Sequence, residues 1–369
     1  MAKAADSKTQ NYQCPACGGP LHFDSKSGKL KCDYCDSMYS IEEAKAALDP
    51  EARASQSQTA KAEAAAPDTG RDGETVWSDA EVRGLRAYTC SSCGAELVCD
   101  AETAATSCPY CGNPTVLGGQ LAGKLRPEYI IPFALDRKEA ISALTNYYKG
   151  KVLLPKAFSS QNHIQEIKGV YVPFWLYDAE VNVQGKYVGH VSETHREGDY
   201  IVTTTQHYDV QRDGNTSFVR VPVDGSTKMP DAHMDAIEPF DYSAMVPFST
   251  VYLPGYLADR YDQSDKECAS RAEDRMTASA TAALHSTLTD YEDIDTSSES
   301  VRIVDSTAHY ALLPVWMLHT RWKDKDFLFA MNGQTGKLIG DLPIDKGRLA
   351  ACFAAISLPL MVILAILLM

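Results

Sequence analysis

The sequence lacks a basic surplus. Thirty-five lysines and arginines stand against 49 aspartates and glutamates, a formal net charge of −14 over 369 residues. A protein that displaces counterions from duplex phosphates needs the opposite balance, so the charge argues against nucleic acid as a partner. Residues 1–13, MAKAADSKTQNYQ, contain no apolar core of the kind a secretory signal uses, and no leader is expected. Catalytic signatures are missing as well. There is no P-loop, no GxSxG and no GxGxxG behind a strand, and none of the nine histidines falls in an HExxH pattern. His190 and His195 are five residues apart and His207 lies in a predicted strand. The acidic pair Asp178 and Glu180 reads as a solvated strand face. The chain is therefore expected not to be an enzyme.

What the chain does have is cysteine in pairs. Of eleven cysteines, eight form four CxxC pairs, leaving Cys99, Cys268 and Cys352 as singles. Cys14, Cys17, Cys32 and Cys35 make one set of four, and Cys90, Cys93, Cys108 and Cys111 make the other. A shift of 76 residues lays the first set on the second, with Gly18 over Gly94, Leu21 over Leu97 and Asp24 over Asp100. In both copies fourteen residues separate the pairs, room for a short β-hairpin that returns the second knuckle to the first. Four thiolates so arranged suit Zn²⁺ in a closed tetrahedral site at ~2.3 Å, with no position left for a reactive water. Two structural zinc sites are expected, whose binding energy is the folding energy of units too small to hold a core. A rubredoxin-like iron site uses the same two knuckles, so ligand identity leaves iron open. Disulfides or redox dithiols fit a repeated spacing less well, and a reducing compartment is expected. Cys99 falls opposite Phe23, an apolar hairpin position, and reads as a core thiol.

The tail differs from everything before it. Residues 349–369, LAACFAAISLPLMVILAILLM, run 21 positions without a charge. At ~1.5 Å per residue a helix of that length matches the ~30 Å hydrocarbon core, so a transmembrane helix is expected there, with Pro359 tolerated inside it. Lys346 and Arg348 precede the span and place the N-terminal body on the cytoplasmic side. The chain then reads as a tail-anchored, single-pass protein of the cell membrane.

The segments between are ordered by composition. Residues 12–40 form the first ribbon, and 41–80, rich in Ala, Ser, Gln and charge, form a flexible linker. The second ribbon occupies 86–118, and 125–345 is a β-rich α+β body. Val170–Val183, Lys186–His190, Tyr200–Val210, Ser217–Val223, Val301–Val304 and Asp326–Met331 are predicted strands. Asp136–Tyr148, with Asp136 as its cap, and a stretch near Ala258–Leu288 are predicted helices. A weaker repeat inside the body sets Pro173 over Pro314 and Trp175 over Trp316 at a shift of 141. The matched tryptophans are expected to fill the core of each half. The predicted fold class is thus multi-domain: two small zinc ribbons, a duplicated α+β body and one C-terminal transmembrane helix.

CPxCG, a hairpin and CxxC together resemble the TFIIB-type zinc ribbon. With the second ribbon, the PFW and LPVW segments, the NGQTGK turn and the apolar tail, the whole chain is similar to bacterial membrane-associated zinc-ribbon proteins of the YdjG-like type. That resemblance implies a non-enzymatic adaptor or scaffold that recruits cytoplasmic proteins to the inner face of the membrane in envelope stress. It also implies partners of the SPFH (flotillin-like) and phage-shock PspA classes. The competing reading is a tethered protein that binds nucleic acid or a transcription complex. Glu96, Asp100 and Glu102 deny the second ribbon the basic surface that reading needs.

Overall fold

The computed structural model describes residues 14–17, 21–32, 34–43, 85–90, 94–100, 109–110, 116–119, 125–155, 167–323 and 325–368. The linker expected over 41–80 lies outside them apart from its first three residues, and so does much of the second ribbon expected over 86–118. The chain divides into two compact units. The first comprises Met1–Pro173, Ser226–Arg260 and Ala311–Met369; the second comprises Phe174–Gly225 and Tyr261–Tyr310.

Strand dominates both units. In chain order the strands are β1 (Leu21–Asp24), β2 (Lys29–Cys32), β3 (Met38–Tyr39), β4 (Leu85–Cys90), β5 (Glu96–Asp100), β6 (Val116–Gly119), β7 (Tyr129–Ile130), β8 (Lys168–Glu197), β9 (Tyr200–Asp224), β10 (Val246–Pro247), β11 (Leu257–Asp259), β12 (Asp293–Trp322), β13 (Lys325–Asn332) and β14 (Leu338–Gly340). The helices are α1 (Arg137–Tyr148), α2 (Asp231–Ala236), α3 (Asp265–His285) and α4 (Lys346–Leu368). The α+β class expected for the body is therefore corrected to a mostly β one. The strands are longer than composition suggests, because Gly and Asn inside them do not break pairing. Val170–Val183 and Lys186–His190 merge into one 30-residue strand whose register against β9 runs on through Gly185↔Arg212. The helix expected near Ala258–Leu288 begins only at Asp265, because Leu257–Asp259 is spent on a strand and Ser264 caps the helix in a box with Glu267.

The transmembrane expectation is corrected too. The span at 349–369 falls on α4, which opens on Lys346, Gly347 and Arg348 and carries Ser357 and Pro359 within it. The side chains of Val362, Ala365 and Leu368, and all of Met369, lie outside the described residues. Among the described residues no helix is long and apolar enough to cross a membrane. This overturns the single-pass span, the tail anchor and the membrane placement drawn from them. Arg348 turns back to the first unit, donating to the carbonyls of Val152 and Leu154 at 3.3 and 2.7 Å.

The first unit holds a core of aromatic rings around Phe133. Its ring stacks on Tyr256 at 4.2 Å and meets Tyr171 and Trp316 edge-on at 5.0 and 5.1 Å. Here β7 runs parallel to β12 through Tyr129↔Ala311, and β11 runs parallel to β8 through Leu257↔Val170. β12 returns as an antiparallel hairpin with β13, and β5 joins this sheet through Ala258↔Val98. In the second unit β8 and β9 form a long antiparallel hairpin, and α3 is fastened to it by Arg271 on the buried Asp224 and by Arg275 on the Pro222 carbonyl.

The two aligned tryptophans mark one local motif that occurs in each unit. In the first, Trp316 Nε1 donates at 3.1 Å to the carbonyl of Leu135, the residue before the helix cap Asp136. In the second, Trp175 Nε1 donates at 2.9 Å to the carbonyl of Gln263, the residue before the cap Ser264. The entering chains match as well. Ala134 and Leu135 both donate to Gly333 O, as Asp262 and Gln263 both donate to Gly225 O. Glycine is required at these acceptors by close approach: a Cβ on Gly333 would lie 2.7 Å from the Phe133 ring, and one on Gly225 would lie 3.0 Å from Trp175 Nε1. Both indoles are buried, so the core reading of them stands. Replacing either tryptophan by phenylalanine keeps most of the apolar area but takes the donor from a part-buried carbonyl. Each of Trp175→Phe and Trp316→Phe is expected to cost ~1–3 kcal/mol in urea unfolding. Equal stability of either variant with the parent would contradict the motif.

Candidate metal centre

The first ribbon is built from a hairpin and a third short strand. Leu21, Phe23 and Leu30 are buried within it, pairing in the register Leu21↔Cys32 and Phe23↔Leu30, while β3 adds to β2 through Leu30↔Tyr39. The turn is held by Asp24, whose carboxylate accepts from the Ser27 amide and hydroxyl at 3.1 and 2.6 Å. That Ser27 hydroxyl bond is the main cause holding the Asp24 carboxyl below the ordinary carboxylate range. The second knuckle closes when Cys32 donates its amide to Ser37 O and Asp36 donates to Cys32 O, at 3.0 Å each. Asp36 adopts a left-handed φ of 56° there and is braced by Lys31 at 2.9 Å.

This geometry brings Cys14, Cys17, Cys32 and Cys35 together, with all four sulfurs within 4.8 Å of one another. Cys14 and Cys35 are 3.5 Å apart, and Cys17 and Cys32 are 3.4 Å apart. A tetrahedral ZnS₄ centre has sulfurs ~3.8 Å apart, so the site fits the ion with little expansion. Cys14 and Cys32 are buried and Cys17 and Cys35 are exposed. The thiols are prepared for metal by neighbours that spacing did not reveal. Tyr39 Oη lies 3.3 Å from Cys14 Sγ, and this hydrogen bond is the chief reason that the Cys14 thiol is pulled from 9.0 to about 6. Ser37 Oγ lies 3.2 Å from Cys35 Sγ and is the main cause lowering that thiol. The signal was present in CDYCDSMYS, where Ser37 and Tyr39 alternate along the strand leaving the knuckle. Four sulfurs complete a tetrahedron, so this zinc holds structure and offers no coordination position for a substrate.

The ribbon is docked against its own unit. Phe23 meets Tyr252 edge-on at 5.3 Å, and its amide donates to the Pro254 carbonyl at 3.4 Å. Lys26 reaches Asp136 and Glu139 at 3.1 and 3.2 Å, the two residues that form the capping box of α1. Tyr34, in the second knuckle, and Met38, in β3, are left 77% and 49% exposed.

Of the second set, Cys93, Cys108, Cys111 and the side chain of Cys90 lie outside the described residues. What is described around them is tied to the first unit. Arg260 donates its amide to Glu96 O at 3.0 Å and pairs with the Glu96 carboxylate at 3.3 Å, while Tyr110 Oη donates to buried Asp259. Cys99 falls in β5 with its side chain outside the described residues, and Cys268 is buried in α3, 3.6 Å from Asp224 O. Cys268 does not belong to the Cys₄ group.

Comparison with known proteins agrees with this site. A family model described as Trm112p-like protein matches residues 13–43, the segment that carries the first Cys₄ group. Over 347 residues the chain is 35% identical to the "Uncharacterized protein YdjG" of Bacillus subtilis (strain 168), in an alignment that covers 94% of each chain. The chain belongs to the YdjG family. No solved structure matches it. The family match reaches far beyond the ribbon and takes in both units, and Zn²⁺ is the cofactor that the Cys₄ cluster and the Trm112p-like match support.

Proposed function

We propose that this member of the YdjG family is a non-enzymatic zinc-ribbon adaptor that holds a protein partner on the knuckles of its first ribbon. The observation that carries the reading is what that ribbon leaves exposed while docked. The ribbon is fixed to the first unit through Phe23 and Lys26, while Tyr34 in the second knuckle and Met38 in β3 stand 77% and 49% exposed. An exposed tyrosine and methionine on a rigid closed metal site are the residue types that anchor protein interfaces. The same reading takes the second cysteine set as a second zinc ribbon of TFIIB-like build, and partners of the SPFH and PspA classes as the first baits to try.

The test uses the full chain and a Tyr34→Ala/Met38→Ala variant, with zinc content measured on both. Retention of such a bait is expected to fall ~10-fold or more in the variant while zinc content stays the same. Equal retention at equal zinc content would remove the knuckles as the recruiting surface. Retention of nucleic acid in place of protein, lost in the same variant, would favour the competing reading.

A further inference from the structure

The second unit carries most of the chain's charge. Phe174–Gly225 and Tyr261–Tyr310 hold 19 acidic and eight basic side chains, a surplus of 11 negative charges out of the chain's 14. It also carries a long open strand edge. Among the described residues β9 pairs only with β8.

The register shows which backbone groups of β9 face outward. Gly198 and Asp199 form a two-residue turn with Gly198 at φ 63°, and Glu197↔Tyr200 closes it. In such a hairpin the closing pair exchanges hydrogen bonds, and bonded and non-bonded pairs then alternate. Tyr200, Val202, Thr204 and the even positions after them bond to β8. The odd positions from Ile201 to Ser217 direct N–H and C=O away from it. Close hydroxyl contacts at Thr194–Thr203 and Ser192–Thr205, 3.0 and 2.9 Å, are those expected of non-bonded pairs. Every odd residue from Ile201 to Val219 is exposed.

Such an edge is a template for another strand, and proteins usually blunt it with lysine, proline or a bulge. From Tyr200 to Val219 the strand contains neither lysine nor proline, its bulge comes only where Tyr177 and Ala179 meet the far end, and Tyr200–Tyr208 is an uncharged, β-branched run. Its exposed charges, Asp209 and Asp213, lie on one face ~13 Å apart. A second copy of the chain is a poor occupant, because two units of the same negative surplus would be brought edge to edge. We propose that the outward edge of β9 accepts an extended basic segment of a protein partner as an added β-strand, with lysine or arginine four residues apart opposite Asp209 and Asp213.

The probe is a labelled peptide of about eight residues alternating lysine and valine, long enough to span both aspartates, titrated onto the full chain by fluorescence anisotropy. The controls are the same peptide N-methylated along its pairing edge, which keeps the charge but cannot complete the ladder, and a glutamate–valine peptide. Binding of the first peptide is expected, with a loss of at least tenfold on N-methylation or in Thr205→Pro, whose missing N–H makes no bond to β8. In Asp209→Asn/Asp213→Asn a several-fold loss is expected, larger at low salt. Three results would overturn the proposal: no binding of the basic peptide, equal binding of the methylated one, or a dimer of the parent chain that Thr205→Pro abolishes. If Thr205→Pro does not fold, the methylated peptide decides alone.

Discussion

Replacing Cys32 by serine is expected to strip the zinc from the first ribbon and to cost that ribbon its fold. Cys32 is fully buried, sits in β2 opposite Leu21, and lies 3.4 Å from Cys17. The apolar interior available without the metal is little more than Leu21, Phe23 and Leu30, too small to hold three short strands. Structural zinc contributes ~10–16 kcal/mol to units of this kind, so ligand loss removes most of what orders them. In the full chain, metal analysis should show about one zinc fewer per molecule for Cys32→Ser than for the parent. Hydrogen exchange should rise across residues 21–39. It should also rise, to a smaller extent, where the ribbon touches its unit, around Tyr252–Pro254 and the α1 cap at Asp136 and Glu139. Acid should act in the same direction. Tyr39 holds the Cys14 thiol at about 6, so a ready thiolate is present above that pH, and protons compete with the metal below it. Unchanged zinc content and unchanged exchange in Cys32→Ser would show that these four sulfurs do not hold a metal.

The first cysteine group is legible because a tetrahedral ion imposes the same chemistry on any chain, and the only freedom left is the length of the hairpin between knuckles. Helix α1 was legible for a similar local reason: Asp136 followed three residues later by Glu139 closes a capping box without help from distant residues. The continuity of β8 was not, because Gly185 interrupts a strand pattern in sequence while β9, which comes after it, supplies the pairing. The mostly β architecture was underestimated for that reason. The tail shows the opposite error. An uncharged run sufficed to predict a span, yet α4 starts three residues earlier, takes Lys346 and Arg348 into its first turn, and does not meet the length and apolarity of a membrane helix among the described residues. The repeat at Trp175 and Trp316 was visible as an alignment, but not its purpose. Each indole contacts the residue before a helix cap more than 80 positions away, and no local pattern encodes that pairing.

Asp259→Ala is expected to be among the most damaging single changes outside the metal site, because it deletes a buried acceptor that several donors share. The carboxylate is 2% exposed. Tyr110 Oη and Ser226 Oγ both donate to its Oδ2, at 2.5 and 2.8 Å, and the Arg260 amide donates to Oδ1 at 3.0 Å. Alanine takes this acceptor from the Tyr110 and Ser226 hydroxyls, while the Arg260 amide keeps Glu96 O, and ~2–4 kcal/mol is expected. Tyr110→Phe removes one donor and leaves the carboxylate its other partners, so ~1–2 kcal/mol is expected. Urea unfolding of the two single variants and the double variant completes the comparison. If Tyr110 acts through Asp259, the double variant should be clearly less destabilised than the sum of the singles, with a coupling of about 1 kcal/mol or more. Strict additivity would mean that Tyr110 is held elsewhere. The result bears on the second cysteine set as well. Tyr110 stands between Cys108 and Cys111, while Asp259 pairs with Leu97 across β11 and β5. One carboxylate thus fastens Tyr110 to β11, the strand with which β5 already pairs. Its loss should therefore raise hydrogen exchange along β5 and β11 together.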